Sequence, residues 1–139
     1  MSEPPPFSPT IALLTVARVW DAALADELKA LGLTSRKYGL LGHIRGTPGI
    51  SFSELARRSR ITVQSVHTAV AGFVQNGLVD DDTAHAGSAS ALRVTAEGEA
   101  LLARAAEVVD DIDARFADQH PGLVDALRAH VAEVFAARP

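Results

Sequence analysis

The sequence contains no cysteine. That absence removes a disulfide framework, a thiolate zinc site, a nucleophilic thiol and a cysteine redox sensor together, so the chain must stand on packing alone. No apolar run approaches the roughly 18 residues that read as a membrane span. The opening, Met1-Ser2-Glu3-Pro4-Pro5-Pro6, has neither a basic leader nor an apolar signal core. A cytoplasmic location without a membrane partner is the expectation. His43, His67, His85, His120 and His130 form no H-x-x-x-H ligand pair, and neither a glycine-rich phosphate loop nor a G-x-S-x-G elbow occurs. No metal site, no cofactor and no enzymatic activity are therefore expected. Asp110, Asp111 and Asp113 read as a solvated helix face.

What is present suits one compact domain: 139 residues, 47% hydrophobic and 22% charged. The formal net charge of −4 looks wrong for a nucleic-acid binder, which needs lysine and arginine against phosphate. Its distribution says otherwise. Between Thr34 and Val79 stand Arg36, Lys37, Arg45, Arg57, Arg58 and Arg60 against one acid, Glu54, a net of +5 that leaves −9 for the remainder. A positive module inside an acidic protein orients the molecule toward a polyanion, the bland alternative being solvated arginines clustered by chance.

The pattern along the chain is helical. Prolines at 4, 5, 6 and 9 make residues 1–8 a flexible tail, with Ser8-Pro9 suited to an N-cap and a first-turn proline. Leu13, Val16 or Ala17, Trp20, Leu24, Leu28 and Leu31 then trace the stripe of a long first helix ending near Gly32. A second helix is predicted from Thr34 to about Arg45, with Tyr38, Leu41 and Ile44 inward, and Gly46-Thr47-Pro48-Gly49 breaks it. Ile50 is placed in a short strand. Ser51-Phe52-Ser53-Glu54 has capping-box spacing, opening a short third helix from Ser53 to about Arg58. Thr62 caps a fourth, with Val63, Val66, Val70, Phe73 and Val74 toward the core and Gln64, Ser65, His67 and Thr68 on or beside the opposite face. Gly72 within it costs roughly 1 kcal/mol relative to alanine and implies close packing. Strands at Leu78–Asp81 and Ala91–Val94 flank a small-residue segment. A fifth helix opens at Thr95-Ala96-Glu97 and carries Leu101, Leu102, Ala105, Val108, Val109, Ile112 and Phe116 to about Asp118; a sixth follows His120-Pro121-Gly122 with Leu123, Leu127, Val131, Val134 and Phe135.

A short helix, a tight turn, a second helix with small polar residues near its start, and then a hairpin is the winged helix-turn-helix plan. Four segments, Leu33-Thr34-Ser35-Arg36-Lys37-Tyr38-Gly39-Leu40-Leu41, Ser53-Glu54-Leu55-Ala56 with Ile61-Thr62-Val63-Gln64-Ser65-Val66, Asn76-Gly77-Leu78-Val79, and Val94-Thr95-Ala96-Glu97-Gly98-Glu99-Ala100-Leu101-Leu102, follow in order. Together, over about Pro9 to Ala137, they resemble the MarR family of bacterial transcriptional regulators. The resemblance implies a mainly α fold, with a winged region at 34–95 and a helical dimerisation region at 9–33 and 96–139. It also implies a homodimer on a pseudo-palindromic site in double-stranded DNA, acting as a repressor. Apolar stripes at both ends of so short a chain ask for a symmetric partner in their own right.

On this reading Gln64, Ser65, His67 and Thr68 meet base edges, while Arg36, Lys37, Ser53, Arg57, Arg58, Arg60, Thr62 and Arg93 meet phosphates. An ordinary solvated surface is the alternative for each. Two departures from the family stand out: Thr68 occupies a position where many members carry a basic residue, and the wing, with Asp80, Asp81 and Asp82, has no cation before Arg93. They sustain a rival reading, a winged-helix protein-interaction or dimerisation module with weak or no DNA binding. The resemblance further implies release by a small aromatic or anionic effector, for which Trp20, Leu24, His43 and Arg45 are the candidate pocket; core packing is the alternative for Trp20.

Overall fold

The computed structural model describes residues 2–81 and 91–137. Six helices and one hairpin follow in the order α1 (Pro9–Lys29), α2 (Ser35–Gly46), α3 (Phe52–Ser59), α4 (Val63–Gln75), β1 (Val79–Asp81), β2 (Leu92–Val94), α5 (Ala96–Gln119) and α6 (Pro121–Ala136). The strands pair antiparallel, with Val79 opposite Val94, Asp80 opposite Arg93 and Asp81 opposite Leu92.

Hydroxyl caps fix five of the six helix starts. Ser8, Thr34, Ser51, Thr62 and Thr95 each accept a backbone N–H three residues on, from Ile11, Lys37, Glu54, Ser65 and Gly98, at 3.0 to 3.3 Å. Each bond satisfies one of the donors that a helix start leaves open. α3 thus begins one residue earlier than its spacing suggests, because Ser51 is the cap and Phe52 the first helical residue. α1 stops at Lys29 rather than Leu31: Gly32 turns to φ +70° and the Leu33 amide returns to the Leu28 carbonyl at 3.2 Å. Ile50 lies outside the sheet, which has two strands among the described residues. Gly49 instead lends the hairpin a single bond, its amide donating to Leu92 at 2.9 Å.

One apolar cluster joins these elements. Leu28 and Leu33 from the end of α1, Leu40, Leu41 and Ile44 from α2, Leu55 from α3, Val66, Val70 and Phe73 from α4, Val79 and Leu92 from the hairpin, and Leu101, Leu102 and Ala105 from α5 are all buried in it. Val63 and Val74, expected to face inward, are exposed. Val66, Val70 and Phe73 already fill the inward arc of α4, and neither valine can turn into it.

The far ends of the long helices are built differently. Ile11, Leu13, Leu14 and Val19 of α1 are exposed, and α6 has no buried residue although its spacing is amphipathic. Trp20 packs edge-on against Phe116 at 5.1 Å and His120 at 5.9 Å between ring centroids, which ties α1 to the junction of α5 and α6. Among the described residues no helix is long and apolar enough to cross a membrane, and no cluster of three or more histidines and carboxylates is placed to hold a metal.

Candidate nucleic-acid interface

The α3 end of the basic segment is organised by one acid. Glu54 accepts from Arg57 through both Nε, at 2.9 Å, and Nη2, and from Arg58 Nε at 2.9 Å, while Arg58 Nη1 donates to Thr47 Oγ1 at 2.9 Å. The Glu54 carboxylate therefore turns toward the arginines rather than back to the amide of Ser51, and only the serine half of the expected capping box is formed. Hydrogen bonds from Arg57 and Arg58 lower its pKa from the ordinary 4.5 to about 2, and the same Glu54 bond pushes Arg57 upward. A depressed carboxylate pKa favours the folded state above the ordinary value and loses that effect only as pH falls toward 2, so the network holds through the neutral range.

Arg60 closes α3 in the left-handed region at φ 54°, with its amide on the Arg57 carbonyl at 3.4 Å and the following Ile61 amide on Ala56 at 3.2 Å. Glycine adopts this conformation at little cost, whereas a side chain costs about 1 to 2 kcal/mol. Arg60 also lines a shallow pocket with Arg36 and His43, so two phosphate candidates from separate helices meet there. Lys37, Ser53 and Arg57 are exposed nearby in chain order, on the first turns of α2 and α3 and on the last of α3.

On α4, Gln64, His67 and Thr68 are exposed and Ser65 is half-buried. Thr62 accepts the Ser65 amide and donates its own proton to Ser65 Oγ at 2.9 Å, so it has no donor left for a phosphate in this arrangement. The Thr68 hydroxyl likewise donates to the Gln64 carbonyl at 3.1 Å. His67 is stacked on Phe52 of α3, with centroids 4.2 Å apart and planes 15° from parallel. Sequence spacing does not show that contact, because it joins two helices. Ala71 and Gln75, also exposed, continue the Gln64–Thr68 line and escaped the sequence reading. Their four- and three-residue steps were the available signal.

Arg93 is exposed on β2 opposite Asp80. The wing tip, with Asp82 and His85, lies outside the described residues. The four effector candidates are dispersed: Trp20 is in its aromatic cluster, Leu24 packs on the core, His43 is in the pocket beside Arg60, and Arg45 pairs with Glu99 at 3.5 Å. A larger cleft of about 1160 Å³ lies elsewhere, between α2, α4 and α5. Arg36, Lys37, Arg104 and Glu97 contribute charge to it, Leu40, Phe73 and Leu101 apolar surface, and Gln64, Ser65, Thr68 and Asn76 the polar side of α4. Gly72 lines it as well, and a Cβ there would meet nothing within 4 Å. Close packing is therefore not the reason for this glycine.

Comparison with known proteins adds a separate line of evidence. The MarR family profile matches residues 31–87. The HTH-type transcriptional repressor Rv2887 of Mycobacterium tuberculosis is 33% identical over 104 residues, 74% of this chain and 75% of that protein. The chain belongs to the MarR family. Among MarR-family structures, that of Rv2887 in complex with DNA aligns with a TM-score of 0.77 at 27% identity, over 91% of this chain and 98% of the other. Rv2887 in complex with salicylic acid aligns at 0.74 with the same identity, over 92% and 97%. A MarR-family regulator from Rhodococcus sp. RHA1 aligns at 0.79 over 98% and 100%, and at 21% identity shows a shared fold. Within that MarR fold, α3 and α4 form the helix-turn-helix, and the β1–β2 hairpin is the base of the wing.

Proposed function

We propose that this MarR-family chain is a cytoplasmic transcriptional repressor that binds a pseudo-palindromic operator as a homodimer, through residues 34–95, and dimerises through 9–33 and 96–139. The observation that carries the reading is the exposed polar start of α4 standing next to the Arg57, Arg58 and Arg60 cluster. Base edges are offered Gln64, Ser65, His67 and Thr68, and phosphates are offered Arg36, Lys37, Arg57, Arg58 and Arg60, with Ser53 and Arg93 at the margins. The alignment with DNA-bound Rv2887 over nearly the full length supports it.

Arg60 supplies the test, because backbone cost and side-chain benefit can be separated there. Arg60→Gly removes a cation and relieves the left-handed strain, so stability should hold or rise by up to about 1 kcal/mol. DNA affinity should fall on every sequence alike, and the slope of log affinity against log salt should flatten by about 0.9 if one phosphate contact is lost. Thermal melting and gel-shift titration at two salt concentrations give both readings. An unchanged salt slope defeats the phosphate role. Binding without salt dependence or sequence preference in the unaltered protein favours the rival interaction module, which gains support from the capture of Arg57 and Arg58 by Glu54.

The cleft between α2, α4 and α5 is assigned to the effector in place of the dispersed candidates. Its cations Arg36, Lys37 and Arg104 with an apolar floor suit an aromatic acid, and Rv2887 has been solved with salicylic acid and with p-aminosalicylic acid. α4 forms one wall, so an occupied cleft competes directly with base contact by Gln64 and Thr68. Adding salicylate to the preformed protein–DNA complex should release the duplex. A complex that persists at millimolar salicylate removes this ligand from the reading.

A further inference from the structure

α4 contains no lysine, arginine, aspartate or glutamate. The commonest specific contact in the major groove, a bidentate cation on guanine, therefore cannot come from this helix. At about 100° per residue, Gln64, Thr68, Ala71 and Gln75 lie opposite the buried Val66, Val70 and Phe73, with Val63 toward one side of the same outer arc. The hydroxyl proton of Thr68 is spent on the Gln64 carbonyl, so this side chain presents lone pairs and a methyl. Val63 is 41% exposed at the first position of the helix although the core is already filled by its neighbours. The outward surface is thus amide and methyl, without charge. Among the bases only thymine offers a methyl group in the major groove, and adenine is the base that an amide pairs bidentately.

We propose that α4 reads an A·T-rich half-site, with Val63 and Ala71 as specificity-determining residues that pack on thymine C5-methyl groups beside an adenine held by Gln64. The inference rests on the DNA-binding reading above and deepens it. The full-length protein is used to select from a pool of random duplexes, and each thymine of the enriched duplex is then replaced by deoxyuridine, which lacks only the methyl. Half-sites should be dominated by A·T pairs, and uracil at a contacted position should weaken binding about fourfold, equivalent to about 0.8 kcal/mol. Val63→Thr, which swaps a methyl for a hydroxyl at constant shape, should erase one of these uracil effects, and Ala71→Ser another, with melting temperatures near that of the unaltered protein. Half-sites built on G·C pairs overturn the inference. So do uracil duplexes bound as tightly as thymine duplexes, or a uracil effect that survives both substitutions. Failure to enrich any sequence overturns the DNA-binding reading itself, and this inference falls with it.

Discussion

Gly98→Ala is expected to cost about 3 kcal/mol and to lower the melting temperature by about 10 °C. A Cβ at this position would lie 2.3 Å from the Leu78 carbonyl oxygen and 2.6 Å from Val94 Cγ1, far inside contact distance. Neither neighbour can give way cheaply. The Leu78 oxygen already accepts the Thr95 amide at 3.0 Å, and Val94 stands opposite buried Val79 in the hairpin. Thr95 adds two bonds, donating to the Gly77 carbonyl at 2.6 Å and accepting the Gly98 amide at 3.1 Å. An alanine methyl must therefore pry the first turn of α5 away from the turn that ends α4, and the orientation of the recognition helix against the long helix goes with it. Gly72→Ala is the matched control: the added methyl meets nothing within 4 Å, and the helix should gain up to about 1 kcal/mol. Thermal denaturation at a fixed protein concentration reads both. If the two variants melt within a degree or two of each other, the close approach of Leu78 to α5 does not exist in solution.

The contrast between these glycines marks how far the sequence could be read. Gly72 and Gly98 are both helical glycines, and propensity gives them the same cost; only the fold shows that one opens onto a cleft and the other is wedged against a carbonyl. Helix starts were legible to within a residue because a capping hydroxyl is a local event: Ser8, Thr34, Thr62 and Thr95 act on amides three positions away. Val63 and Val74 were misread because an apolar residue beside a core stripe resembles part of it, and the width of the inward arc depends on what α2 and α5 bring against it.

The site divides in the same way. The basic cluster and the polar face of α4 follow from composition and a period of 3.6 residues. The capture of Arg57 and Arg58 by Glu54 was also available, since three and four residues place them on one helix face, but Glu54 was read as a capping residue instead. The His67–Phe52 stack, the Thr62–Ser65 hydroxyl pair and the cleft between α2, α4 and α5 depend on how separate segments meet or how rotamers settle. The dispersal of Trp20, Leu24, His43 and Arg45 has the same origin. Each is plausible by residue type, and their surroundings are set by contacts between elements far apart in the chain.

Val131→Asp should convert the protein to a monomer at micromolar concentration and weaken operator binding by about 100-fold or more. α6 spans 16 residues without burying one side chain, while Leu127, Val131 and Val134 remain 41%, 48% and 43% exposed along one face. The exposed Ile11, Leu14 and Val19 of α1 present a second apolar face. A twofold partner would cover both at once, and in a symmetric interface one substitution places two unpaired carboxylates in apolar surroundings. Losing the dimer separates the two recognition helices, so the second half-site no longer binds as an intramolecular event, and affinity drops to that of one module. Ala129→Asp adds the same charge on the opposite side of α6 and should leave mass and affinity unchanged. Light scattering after size exclusion, together with a gel shift on the same samples, distinguishes the outcomes. A dimeric Val131→Asp protein with full affinity would place the subunit contact somewhere other than α6. A monomeric one that still binds the full operator tightly would show that a single winged module suffices, and the twofold arrangement would have no part in recognition.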